Sequence, residues 1–233
     1  FTNLWLNTKV TAINPIEAGI EVHFEGLDGS AYQHVFSKLL LSVGRIPNSD
    51  NLGLENTRIK LDERGYVQVD DQMRTSESNI FAIGDIVGAA LAHTASHQGS
   101  LVAEILAGHS KLVFEPRAIP NVVYTDPEIA WCGLTEEQAK AEGIDVKVAR
   151  FPWSASGRAT AIARNDGLTK MLIDPSTDRI LGVGVAGANA GELIAEGVLA
   201  VEMAALASDV QLSIHPHPTL SETIMETAEV YYG

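Results

Sequence analysis

The chain has 233 residues, 45% of them hydrophobic, which is enough apolar mass for one large core or two modest ones. Sixteen Lys and Arg against thirty Asp and Glu leave a net charge of −14, and so acidic a surface repels phosphate backbones and anionic lipid, arguing against nucleic acid or a membrane as partner. No apolar run approaches the ~20 residues of a bilayer crossing, and the single cysteine, Cys132, leaves no internal disulfide and no Cys-x-x-Cys motif, so the chain reads as soluble and cytoplasmic, or as matrix or plastid protein in a eukaryote.

The first residue is not Met, and strand-like alternation starts at once with Leu4, Leu6, Val10 and Ala12, so the chain is expected to begin inside a longer protein. Ile20–Glu25 alternates in the same way, and Leu27-Asp-Gly-Ser30 predicts a hairpin turn. Lys38–Gly44 is a short continuous apolar run suited to a strand buried on both faces. Loop signals follow from Gly44 to Gly65, then a predicted strand at Asn79–Ile83 that stops at Gly84-Asp85. The spacing of Leu91, Ala95, Leu101, Val102, Ile105 and Leu106 predicts a helix over about 91–106, with Gly108 as its stop.

Pro116–Pro120 reads as a linker. Beyond it come predicted strands at Val122–Thr125 and Glu128–Gly133, a helix opened by the capping box Thr135-Glu-Glu-Gln138, and a strand pair at 168–173 and 179–185. Gly191–Ala207 is apolar nearly all round and predicts a deeply buried helix. A Pro-broken loop, His215-Pro-His-Pro218, precedes a last helix over about 220–231. Hairpin-linked strands beside grouped helices predict an α+β domain from about residue 119, with an antiparallel sheet and flanking helices.

Four groups of residues could carry chemistry. Gly182-Val-Gly184-Val-Ala-Gly187 is formally a GxGxxG, but its strand looks hairpin-paired where a dinucleotide fold needs a βαβ crossover. Glycines that allow close backbone packing are the expected reading. His93 and His97 share a helical face and could hold a metal, although no third ligand is evident, so no metal is expected. Cys132 lies in an apolar strand and reads as a small core residue.

The fourth group is His215, His217 and Glu222. An extended backbone between prolines would face both rings one way, and prolines on either side of His217 fix where its ring points. Glu222 has two readings: the acid of a capping box, Thr219-Leu-Ser-Glu222, or a carboxylate that orients the His217 imidazole, as in a Ser-His-Asp triad. The chain shows no nucleophile beside the pair, so the reacting sulfur or oxygen is expected to come from elsewhere.

Val43-Gly-Arg-Ile-Pro-Asn48, Thr75 through Asn79-Ile-Phe-Ala-Ile-Gly-Asp85, Pro120–Ala130 and His215-Pro-His-Pro-Thr-Leu-Ser-Glu222 together resemble the C-terminal half of the dihydrolipoamide dehydrogenases, in the flavoprotein disulfide oxidoreductase family. The double-histidine ending is more similar to that group than to glutathione or mercuric reductases. The resemblance implies residues 1–45 as the end of an NAD-binding domain, 46–115 as part of an FAD-binding and central domain, and 116–233 as a dimerisation domain. It implies FAD and NAD as cofactors, with Asp85, Leu91, Ala92 and His93 towards the flavin and Gly44 towards the nicotinamide cofactor. It makes His217 the catalytic acid/base and Glu222 its orienting carboxylate, serving the disulfide of the other subunit in a homodimer formed through residues 119–233. The implied partner is a lipoyl-bearing acyltransferase of a 2-oxo acid dehydrogenase complex, or a glycine-cleavage lipoyl carrier. The family's Gly-rich flavin motif and cysteine pair are absent from this sequence, so the chain alone is expected to be inactive; the alternatives are a non-catalytic homodimerisation module or another family member such as a glutathione- or mercuric-reductase-like enzyme.

Overall fold

The alternating pattern near the start folds as three antiparallel strands, β1 (Thr8–Ile16), β2 (Gly19–Gly26) and β3 (Ala31–Phe36), in sheet order β1-β2-β3. The computed structural model describes residues 2–89, 91–109 and 111–233, and the chain divides into two units, one up to Pro47 and the other Asn48–Gly233. The β2–β3 turn forms because the Asp28 side chain accepts hydrogen bonds from the amide and hydroxyl of Ser30 at 3.0 and 2.6 Å. Val22 and Phe24 are buried on one face of the sheet, where Phe24 and Tyr32 stack at 5.3 Å and Trp5 stacks on His34 at 4.9 Å.

Two expectations fail in this unit. Leu4 and Leu6 lie outside β1 and are exposed. Lys38–Gly44 is not a strand, and Leu40 and Val43 are 89% and 82% exposed. A run apolar on both faces needs sheet neighbours and covering layers, and the described residues give it neither.

In the second unit, residues 48–89 are mostly turns joined by single β-bridges, Leu61 to Val67 and Arg74 to Phe81. The expected strand at Asn79–Ile83 is reduced to that bridge, with the Arg74 guanidinium 4.7 Å from the Phe81 ring centre. Gly84–Val87 is a turn of 3-10 helix, and α1 spans Ala92–Leu106 with Gly108 in the left-handed region just beyond it. The predicted stripe on α1 is only partly covered: Ile105 is buried, together with Thr94 and Gln98, while Leu106 is exposed. Gln98 is drawn in because its side chain accepts a hydrogen bond from the Gly84 amide at 2.7 Å.

The α+β expectation holds from residue 119 onward. Five antiparallel strands, β4 (Asn121–Val123), β5 (Glu128–Gly133), β6 (Lys147–Pro152), β7 (Leu168–Ile173) and β8 (Ile180–Gly187), form a sheet in the order β4-β5-β8-β7-β6. Between them lie α2 (Glu136–Glu142), opened by the reciprocal Thr135–Gln138 capping box, and the short α3 (Gly157–Ala161). The chain closes with α4 (Ala190–Glu202), α5 (Ala207–Gln211) and α6 (Glu222–Tyr232). Helix α4 packs on β5 and β8, while α6 packs on β6 and β7 and against α5. The core they share includes Trp153, Met171, Ile173, Val183, Val185, Ile194 and Ile224.

The predicted helix over 191–207 stops earlier than expected, because Ala204 takes a left-handed φ of 53° and starts the turn into α5. Nor is that helix buried all round, since Leu199 and Met203 are 62% and 72% exposed. A hydrogen-bonded chain crosses the core beneath α6. The Trp153 indole N–H donates to the Thr169 hydroxyl at 2.9 Å, the two threonine hydroxyls meet at 2.8 Å, and Thr223 donates to the Leu220 carbonyl at 2.7 Å. Indole can only donate and a carbonyl can only accept, so the direction of every bond is fixed.

Candidate functional site

The loop between α5 and α6 carries both histidines of the HPHP segment. His217 Nδ1 lies 2.8 Å from Glu222 Oε1, and the other carboxylate oxygen, Oε2, accepts from the Thr219 amide at 2.7 Å. Each oxygen thus has its own contact, but the expected capping box does not form, because α6 begins at Glu222 itself with Ser221 as its N-cap and no side-chain cap. The Thr219 hydroxyl, which would complete a capping box, instead donates to the Pro216 carbonyl at 2.7 Å. The Thr219 amide is the main reason the Glu222 carboxyl sits below its ordinary range; partial burial opposes it and the His217 hydrogen bond adds to it. The carboxylate is thus charged at neutral pH, aimed at Nδ1 of a ring whose side chain is 78% exposed.

His215 does not share that setting. Its side chain is only 8% exposed, with Nε2 2.7 Å from Glu196 Oε1 on α4 and Nδ1 2.9 Å from the Ser213 carbonyl. The expectation that both rings face alike misses Glu196, which contributes a half-buried partner for only one of them. The available signal was an acid set within the apolar stretch Leu193–Val201. One turn beyond Glu222, Glu226 has a buried Oε2 with no partner, and burial together with the charges of Glu222 and Glu229 pushes its carboxyl up.

The residues assigned to the flavin sit elsewhere. Asp85 is exposed in the 3-10 turn and has a partner of its own, while Leu91 is the N-cap of α1 and Ala92 and His93 begin the helix. The N-cap residue, Leu91, supplies no side-chain cap, so the first amides of α1 lie at this end with the positive end of the helix dipole. The His93 ring is engaged by the Pro120 carbonyl at 2.9 Å, which leaves its main chain as the part free to meet a ligand. His97 is exposed, and among the described residues no group of three or more His, Cys, Asp or Glu is placed to hold a metal. Gly44 belongs to the first unit and has a φ of 117°, a conformation that suits glycine.

Two other sequence readings are resolved by the sheet. Gly182–Gly187 lies inside β8, paired antiparallel on both sides, and is not a loop facing a helix N-terminus. A Cβ on Gly182 would fall on the Leu134 carbonyl, and one on Gly187 on the Trp153 ring, so these glycines serve close packing. Cys132 is buried in β5, and burial raises its thiol to about 11, which makes it a core residue and no nucleophile.

Comparison with known families gives the geometry its setting. Residues 2–99 match the model of the pyridine nucleotide-disulphide oxidoreductases, and residues 119–228 match the model of that family's dimerisation domain. The chain belongs to the pyridine nucleotide-disulphide oxidoreductase family. A dihydrolipoyl dehydrogenase from Vibrio cholerae is 48% identical over 232 residues, which is 99% of this chain and 49% of that protein. One from Haemophilus influenzae is 45% identical over 231 residues, again 99% of this chain and 48% of the relative. The crystal structure of LpdA from Mycobacterium tuberculosis superposes with a TM-score of 0.86 at 28% identity, over 96% of this chain and 48% of LpdA. The HOCl-induced flavoprotein disulfide reductase RclA from Escherichia coli does so with the same score and identity, over 95% of this chain and 50% of RclA. The chain thus spans about half the length of the relatives it matches. Within the pyridine nucleotide-disulphide oxidoreductase frame, His217 and Glu222 fall in the dimerisation domain.

Proposed function

We propose that this chain is the C-terminal part of a dihydrolipoyl dehydrogenase, in which His217 is the acid/base and Glu222 its orienting carboxylate. The observation that carries the reading is the 2.8 Å contact between His217 Nδ1 and a charged Glu222, which leaves Nε2 of an exposed ring to meet a substrate. With the Nδ1 proton donated to Glu222, Nε2 holds a lone pair and accepts a proton from a dihydrolipoyl thiol. The imidazolium that results is balanced by the carboxylate beside it, and the thiolate released is the species able to attack a disulfide. That disulfide belongs to the half that this sequence lacks, and in the proposed homodimer it is the other subunit's.

The proposed organisation is 1–45 for the end of the NAD-binding domain, 46–115 for part of the FAD-binding and central domain, and 116–233 for dimerisation. FAD, when bound, carries the electron pair from the dithiol to NAD+. The N-terminal end of α1, with its positive dipole end, fits an acceptor edge of the flavin, with the Leu91, Ala92 and His93 main chain as donors, and exposed Asp85 suits its polar side chain. Gly44 is the proposed contact for the nicotinamide cofactor, supported by its left-handed backbone alone. Dimerisation is supported by the open apolar side chains of Leu199, Met203, Leu212 and Ile214, the last 99% exposed. A lipoyl-bearing acyltransferase or glycine-cleavage carrier as partner, and a cytoplasmic location, belong to the same reading. No helix among the described residues is long and apolar enough to cross a membrane.

Joined to the N-terminal half that relatives carry, the chain with His217→Gln should oxidise dihydrolipoamide roughly 10²–10⁴-fold more slowly, with its flavin spectrum unchanged. A near-normal rate refutes the acid/base role. The chain by itself should sediment as a dimer at micromolar concentration, and a strictly monomeric profile refutes dimerisation through 119–233.

A further inference from the structure

His215 presents a hydrogen-bonding problem that only one protonation state solves. A neutral imidazole has one donor nitrogen and one acceptor nitrogen. Here Nδ1 faces a backbone carbonyl, that of Ser213, at 2.9 Å, and Nε2 faces the Glu196 carboxylate at 2.7 Å. Both partners are acceptors. A neutral ring would therefore set a lone pair against one of these oxygens, in a side chain that is only 8% exposed. A doubly protonated ring donates to both.

We infer that His215 is held as an imidazolium and that this fixed cation, gripped by Glu196 of α4 and within electrostatic reach of Glu222 of α6, positions the proposed His217–Glu222 pair. The groups acting on it come from every side of the loop: Glu196 from α4, the Ser213 carbonyl from the end of α5, and Glu222 from α6. Burial by itself would strip the proton, but the two hydrogen bonds and the two carboxylate charges outweigh it and leave the ring's pKa raised. The positive charge in turn favours the charged form of Glu222, the state that can accept the Nδ1 proton of His217. The loop is thereby pinned at His215, two residues before the ring that stays exposed. His215 is a positioning residue in this account, since the reacting atoms meet His217.

The inference rests on the acid/base reading of His217, and ring-nitrogen NMR separates the two. In the full chain labelled with ¹⁵N at histidine, long-range ¹H–¹⁵N spectra recorded from pH 6 to 9 should show His215 with both ring nitrogens protonated at pH 7 and keeping its second proton to higher pH than an ordinary imidazole. Neutral His217 should carry its proton on Nδ1. Glu196→Gln should lower the pH at which His215 loses its second proton by about one unit or more, the worth of one charge-assisted hydrogen bond. It should also reduce the Nδ1-protonated fraction of neutral His217. A neutral His215 ring in the native chain at pH 7 overturns the inference without recourse to any variant. An unchanged His217 tautomer in Glu196→Gln overturns the positioning role. A native His217 protonated on Nε2 instead overturns the catalytic reading, and with it the role of His215 in positioning, while the His215 signals still report its charge.

Discussion

Replacing Glu222 by Gln tests the double duty of this side chain. A glutamine has one carbonyl oxygen, so it can accept from the Thr219 amide or from His217 Nδ1, whereas the carboxylate serves both, at 2.7 and 2.8 Å. One bond to a side chain that is only 15% exposed is lost, and its charge assistance goes with it. A single hydrogen bond of this kind contributes about 1 kcal/mol net, which moves the midpoint of a domain this size by about 2–4 °C. The sign with pH follows from the depressed carboxyl. Stability that rests on charged Glu222 is present in full above roughly pH 5 and is lost as pH falls through its folded value, below the usual carboxylate range near 4. Urea denaturation at pH 7 and at pH 3 should therefore give a gap between native and variant that is larger at the first than at the second. In the enzyme completed with its N-terminal half, the same change should slow thiol oxidation, because His217 loses the anion that supports its charged form. A gap of equal size at both pH values, or none at either, refutes the assignment of both bonds to Glu222.

Gly187→Ala should destabilise the dimerisation domain by roughly 1–3 kcal/mol, because its methyl would occupy the space of the fully buried Trp153 ring; thermal unfolding followed by tryptophan fluorescence measures it. Glu226→Gln should act in the opposite direction. Burial and the neighbouring acids penalise the charged Glu226, so native stability falls as pH rises from about 4–5 through its raised folded value. The variant should gain up to about 1 kcal/mol at pH 8, a figure held down by the partial exposure of the site, and nothing at pH 4, as read from chemical denaturation at the two values.

Local signals were legible in the sequence wherever the atoms that satisfy them are close along the chain. Thr135 and Gln138 formed their reciprocal cap, Asp28 closed its turn on Ser30, and Thr219 met Glu222 three residues on. Legibility was lost where the partner is distant or shared. Lys147–Pro152 shows no clean alternation and becomes β6 because β7 pairs with it. Lys38–Gly44 states a demand for burial that a strand reading assumes will be met, and the described residues leave it exposed. His215 and His217 look equivalent in HPHP, yet Glu196, nineteen residues before His215, separates them into a ring that is 8% exposed and one that is 78% exposed. The GxGxxG spacing showed the reverse failure, a correct pattern whose glycines answer to Leu134 and Trp153 and not to a phosphate.

The threonine relay beneath α6 bears on how firmly the exposed His217 ring is mounted. Thr223 follows Glu222 directly, and its hydroxyl is tied through Thr169 to the indole of Trp153 at the start of the segment after β6. The carboxylate that aims His217 is therefore anchored to the sheet's interior one residue away, although the ring it aims stands in solvent. Disturbing Trp153 or Thr169, neither of which touches the imidazole, should loosen the hold of Glu222 on it, so that in this molecule the orientation of a ring standing in solvent is set by the rigidity of an interior it never contacts.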